Sequence, residues 1–182
     1  MGRLLARLAF VGLFIGLGAS AAQADDDIAK KLLDNPNVGS WVIYGPQSNT
    51  TVKDAAVQGG AAIEVKVPGP AANPWDAAGQ VVTTGKINKG TQIVNAVWLR
   101  APDADATPAQ LHVRLQEAAA PYAALGETDF NLTSAWKLYS FTLIADQDYP
   151  KGGVMLSVFL ANAKQTIDLG PAFIVDAGVP AP

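Results

Sequence analysis

Four side chains in the middle of the chain have the chemistry of a surface that grips a flat polar ligand: Trp98, Arg100, Arg114 and Gln116. An indole offers a broad apolar face for stacking, while guanidinium and amide groups offer planar, directional hydrogen bonds. Trp98 and Arg100 stand two residues apart in one stretch, and Arg114 and Gln116 stand two apart in the next. Successive side chains of a strand point to opposite faces, so each pair shares a face. Asn95, Val97 and Leu99 take the other face of the first stretch, and Leu111, Val113 and Leu115 that of the second. If the two strands are neighbours, the four side chains form one patch opposite an apolar core. The competing reading packs Trp98 under a loop and pairs the arginines with surface carboxylates. Trp75 after Pro74 and Tyr122 after Pro121 lie in loops that could edge such a patch. For Trp75 the competing role is that of a loop anchor plugged into the core.

The elements that must position these groups are short and extended. Trp41 to Tyr44, Ala61 to Val67, Gln80 to Gly85, Thr91 to Arg100 and Gln110 to Gln116 read as strands. Phe130 to Thr133, Trp136 to Ile144, Val154 to Ala161 and Thr166 to Val175 complete the series. Turn residues such as Gly45-Pro46 and Pro68-Gly69-Pro70 divide them. Many short strands with no helix of useful length between them predict an all-β fold, an antiparallel sandwich or barrel. Val97, Leu99, Leu111, Val113, Leu156 and Val158 are the expected core. Trp41, Trp136 and Tyr139 read as core or edge packing. His112 is the only histidine and reads as a surface or hydrogen-bonding residue.

Residues 1–24 have the layout of a signal peptide, with Arg3 and Arg7 before the apolar run Leu8 to Leu17 and Ala22-Gln23-Ala24 as the cleavage site. The expectation is an exported protein, periplasmic or secreted, with no membrane span in its mature form. Residues 25–40 would be a leader, with a short helix or a flexible arm as the two options, residues 41–176 one domain, and residues 177–182 a tail. The mature chain would keep 11 basic against 16 acidic side chains and no cysteine. No basic patch forms, so nucleic acid is not an expected partner. No nucleophile elbow, no histidine cluster and no carboxylate pair at glycosidase spacing is present, so no catalytic residue is assigned.

A resemblance joins these pieces. Asn73-Pro74-Trp75-Asp76, Lys89-Gly90-Thr91, Val97-Trp98-Leu99-Arg100-Ala101, Leu111-His112-Val113-Arg114-Leu115-Gln116, Leu132-Thr133-Ser134-Ala135-Trp136-Lys137-Leu138-Tyr139 and Thr166-Ile167-Asp168-Leu169-Gly170-Pro171 follow in that order. The series, from Val57 to Val175, resembles the carbohydrate-binding modules of families four, nine and twenty-two. Ile93 or Val94 stands where relatives carry an aromatic, and Leu169-Gly170 follows Asp168 where many have Asn-Val. The resemblance implies a two-sheet antiparallel β-sandwich, a galactose-binding-like jelly roll. It also implies a non-catalytic domain holding poly- or oligosaccharide on one sheet face. By the same resemblance Asp168 would help bind a structural calcium ion. Two alternatives stand beside it: an accessory domain of a separately encoded glycoside hydrolase or esterase, and a structural or protein-interaction sandwich without sugar binding.

Overall fold

The computed structural model describes residues 28–180. Its front sheet holds β1 (Val42–Tyr44), β4 (Ala78–Val82), β6 (Ala109–Glu117), β7 (Ala124–Leu132) and β9 (Val154–Phe159), in the order β1-β4-β9-β6-β7. Its back sheet holds β2 (Ser48–Lys53), β3 (Ala61–Val67), β5 (Gln92–Arg100), β8 (Lys137–Ile144) and β10 (Gln165–Asp176), in the order β2-β3-β10-β5-β8. Every ladder is antiparallel. This is the expected two-sheet sandwich of the jelly-roll kind.

The two-residue alternation does what it predicts. Val97, Leu99, Leu111, Val113, Leu156 and Val158 are each at most 2% exposed and belong to one core cluster between the sheets. Removing such a side chain from a sandwich core costs roughly 2–5 kcal/mol. Trp41 closes one end of this core, its indole N–H donating to the Gly170 carbonyl at 2.8 Å. Tyr139 is buried, and its hydroxyl donates to the Asn131 carbonyl at 3.0 Å.

The pairing of β5 and β6 departs from the simple reading. They are consecutive in the chain yet lie in opposite sheets, β5 beside β8 and β10, β6 beside β7 and β9. The residues between them, 101–108, cross the sandwich instead of closing a hairpin. Two apolar faces bury most surface when they oppose each other, and Val97 and Leu99 therefore look across the core at the sheet of Leu111 and Val113. Their outer faces then point in opposite directions. Trp98 and Arg100 lie on the back of the molecule, Arg114 and Gln116 on the front.

Two edge strands were not anticipated in full. β2 is Ser-Asn-Thr-Thr-Val-Lys and largely exposed, and β7 extends well before the expected Phe130. Neither needs an apolar face, because an edge strand is held chiefly by one ladder of backbone bonds. The signal peptide reading lies outside the described residues, as do the first residues of the leader. Its remainder docks. Leu32 bridges to Val175, the Leu33 N–H donates to the Ile174 carbonyl at 2.7 Å, and the Thr84 N–H donates to the Leu33 carbonyl at 2.6 Å. One short arm thus ties the back sheet to the loop that leaves β4. Among the described residues no helix is long and apolar enough to cross a membrane.

Asp34 is drawn into this docking site. It is 6% exposed, one carboxylate oxygen accepts from the Ile174 N–H at 2.8 Å, and the other has no hydrogen-bond partner. Burial outweighs that bond and pushes its pKa from 3.8 up to about 7. The folded state therefore holds this proton more tightly than the unfolded chain does. The resulting penalty is absent at pH values below 3.8, grows as pH rises, and is complete above about 7. Asp34→Asn should raise the melting temperature at pH 8 by roughly 5 °C and leave it nearly unchanged at pH 4. Thermal melting of both proteins across that range is the check, and a constant offset at all pH values would contradict it.

Candidate ligand groove

The register of the front sheet sets out a grid on its outer face. One row runs Tyr44, Ala78, Phe159, His112 and Asp129; the next runs Val42, Gln80, Ser157, Arg114 and Glu127; a third runs Val82, Met155, Gln116 and Ala124. Side chains in one row stand about 5 Å apart across the strands, so the grid is a continuous surface. A groove of about 740 Å³ crosses it, floored by Gln80, Arg114, Gln116, Met155 and Phe159. Tyr44 and Trp75 form one wall, and Pro121 and Tyr122 the other.

The walls are aromatic and open. Trp75 is 50% exposed and Tyr122 49%. Trp75 sits on a single turn, Pro74–Asp76, fixed by the Asn73 N–H donating to the Asp76 carboxylate at 2.9 Å. Its ring meets Phe159 edge-on at 6.0 Å, and its carbonyl accepts from the Tyr44 hydroxyl at 2.9 Å. Burial first, then the nearby Asp76 and Tyr122, holds the Tyr44 phenol above its ordinary range, so it stays a neutral donor. Tyr122 has a φ of 57°, the left-handed region that non-glycine residues seldom enter. Backbone strain of this kind collects where a side chain must be aimed.

The floor is polar and incompletely satisfied. Gln116 is 4% exposed, and its amide oxygen has no partner. Gln80 donates to the Ser157 hydroxyl at 3.2 Å. Arg114 lies with its guanidinium carbon 5.9 Å from the Phe159 ring centre and donates to the Tyr122 carbonyl at 3.4 Å. Its Nε is 3.1 Å from Glu127 without the alignment of a hydrogen bond, so that pair is held by charge. His112 stacks on Phe159 at 5.6 Å, between Asp129 at 2.8 Å and Glu127 at 3.5 Å.

Of the six side chains singled out in the sequence, the groove gathers Trp75, Tyr122, Arg114 and Gln116. Trp98 and Arg100 are elsewhere, which corrects the expectation of a single patch. Trp98 packs under the loop after β2, its indole donating to Gln58 at 3.1 Å; a Cβ on Gly170 would come within 2.7 Å of Trp98 and 2.8 Å of Val57. Arg100 is bound at 2.6 Å to Asp168 and at 3.0 Å to Asp54, and its guanidinium covers Trp136 at 4.7 Å. Tyr44, Gln80, Met155 and Phe159 were not identified from the sequence. Their alternation in β1, β4 and β9 was legible, but which strands adjoin β6 was not.

The same network bears on calcium. Asp168 is 1% exposed, and burial pushes its carboxyl up more than the Arg100 bond pulls it down. Asp54 moves the other way, chiefly through the hydrogen bond from the Trp136 indole. A guanidinium already supplies the counter-charge to both carboxylates. A divalent cation would have to displace it, and no cluster of three or more suitable ligands occurs among the described residues. The residues around Asp168 do not fit a calcium site.

Two substitutions separate the faces. Arg100→Ala leaves Asp168 buried without its partner and should cost roughly 3 kcal/mol, or about 6–12 °C in melting temperature. Tyr122→Asn should hold the melting temperature or raise it by up to about 3 °C, because asparagine tolerates the left-handed region. Calorimetric melting measures both, and a large loss for Tyr122→Asn would make that ring a packing anchor instead of a groove wall.

No protein-family model and no curated protein matches the sequence. Solved structures do match the fold. A CBM4 structure superposes with a TM-score of 0.61 at 19% identity, over 76% of this chain and 95% of that one. The second N-terminal cellulose-binding domain of Cellulomonas fimi β-1,4-glucanase C gives 0.56 at 17%, over 81% and 96%. The CBM22-1 xylan-binding domain of Paenibacillus barcinonensis Xyn10C gives 0.55 at 13%, over 84% and 94%. At these identities the likeness is one of fold: this chain shares the β-sandwich architecture of those carbohydrate-binding modules.

Proposed function

We propose that this chain is an exported, non-catalytic carbohydrate-binding module that recognises poly- or oligosaccharide in the front groove. The observation that carries the reading is the groove itself. Exposed Trp75 and Tyr122 flank a floor on which Gln116 keeps a buried, unpartnered acceptor and Arg114 a guanidinium. Sugars ask for this combination, since a pyranose has apolar ring faces for stacking and equatorial hydroxyls for planar hydrogen-bonding groups. The fold shared with xylan- and cellulose-binding domains supports it and makes β-linked plant glycans the first ligands to try. In this role the protein would work beside a separately encoded hydrolase, concentrating it on its substrate.

A hydrogen bond to a charged group contributes roughly 1.5–3 kcal/mol. Arg114→Ala should therefore weaken glycan binding tenfold or more, with little change in melting temperature because Glu127 remains half exposed. Gln116→Ala should weaken it comparably. Arg100→Ala, on the opposite face, should leave affinity unchanged at a temperature where the variant is folded. Calorimetric titration against soluble β-glucans, xylans and galactans decides. Equal affinity in wild type and Arg114→Ala would remove this groove from consideration. No binding by wild type to any glycan would favour a protein-interaction sandwich.

A further inference from the structure

The ionic pattern beside the groove selects ligands by charge. Arg114 is the one cation that lines the groove among the described residues. The strand next to it, β7, places a carboxylate directly opposite each of two β6 side chains, Glu127 across from Arg114 and Asp129 across from His112. Glu127 stands 3.1 Å from the Arg114 Nε and 3.5 Å from the imidazole, and Asp129 stands 2.8 Å from the imidazole's other nitrogen. Both carboxylates are about half exposed, at 52% and 56%, so their field reaches whatever lies above the sheet. The charge of the one guanidinium is thus matched by Glu127, and Asp129, against the imidazole, adds a second carboxylate to this edge of the sheet. The buried acceptor of Gln116 and the phenol of Tyr44 add no positive charge.

We infer that Glu127 and Asp129 are specificity-determining residues, which make the groove prefer uncharged glycans over glycans bearing uronate or other carboxylate groups. The inference rests on the carbohydrate reading of the groove and adds the sign of the ligand's charge. With both carboxylates present, an incoming carboxylate meets a net negative edge of the sheet. With both neutralised, the guanidinium of Arg114 is left uncompensated and the preference inverts. At separations of several ångströms in a water-exposed groove, each charge changes affinity about two- to fivefold.

The test uses pairs of polysaccharides that share a backbone and carry neutral or acidic substituents: hydroxyethyl cellulose against carboxymethyl cellulose, arabinoxylan against glucuronoxylan, and methyl-esterified against de-esterified homogalacturonan. Affinities are measured at pH 8 in 20 mM and 500 mM salt, and the readout is the neutral-to-acidic ratio within a pair. Wild type should favour the neutral member at low salt, about two- to fivefold. The Glu127→Gln, Asp129→Asn double variant should favour the acidic member by a similar factor, with Asp129→Asn alone between the two. High salt should flatten all the ratios. A wild-type ratio near one at low salt, or a double variant that keeps the wild-type ratio, overturns the inference while leaving the carbohydrate reading intact. Failure of wild type to bind either member of every pair removes the carbohydrate reading, and this inference with it.

Discussion

Strand β9 is buried on both faces, and the rest of the molecule is arranged to make that possible. Its inner face, with Val154, Leu156 and Val158, fills the core. Its outer face would otherwise leave a phenylalanine and a methionine in water. Phe159 is covered instead by Trp75 from a loop, His112 from the next strand and the guanidinium of Arg114. The groove is therefore built around an apolar seam that the fold needs anyway, and the polar groups are laid on either side of it. Met155 continues the seam beside Gln116.

The sequence made the strands legible because their signal is local. Val97 and Leu99, or Leu111 and Val113, need only a two-residue period to declare which side they bury. The same parity correctly separated Trp98 and Arg100 from the core, and Arg114 and Gln116 likewise. What parity does not contain is adjacency. Whether β5 and β6 share a sheet depends on how eight residues, all but Thr107 being Pro, Asp or Ala, cross the sandwich, and several paths suit such a loop. The competing reading of Trp98 and Arg100, packed beneath a loop and paired with carboxylates, describes them as they stand.

The loop aromatics show the complementary case. Trp75 and Tyr122 were visible as exceptions to good burial, each beside a proline that fixes its approach, and both stand half exposed at the groove. Tyr44, Gln80 and Phe159 gave no such sign, because each is an ordinary strand residue until its neighbours are known. Strand β2 was hidden for a related reason. Its residues are chosen for an edge, and edges are recognised by what they lack.

The crossing between β5 and β6 has a further consequence. It sends one ionic network, Arg100 with Asp54, Asp168 and Trp136, to one side of the molecule, and the groove floor, with Gln116 and Arg114, to the other. Side chains on the outer faces of two packed sheets are separated by more than the roughly 10 Å between the sheets themselves, a distance at which substitutions act independently. The two faces of the sandwich are thus separable in their chemistry. A substitution in the front groove leaves the ion pairs of the back untouched, and a substitution among those ion pairs leaves the groove as it stands.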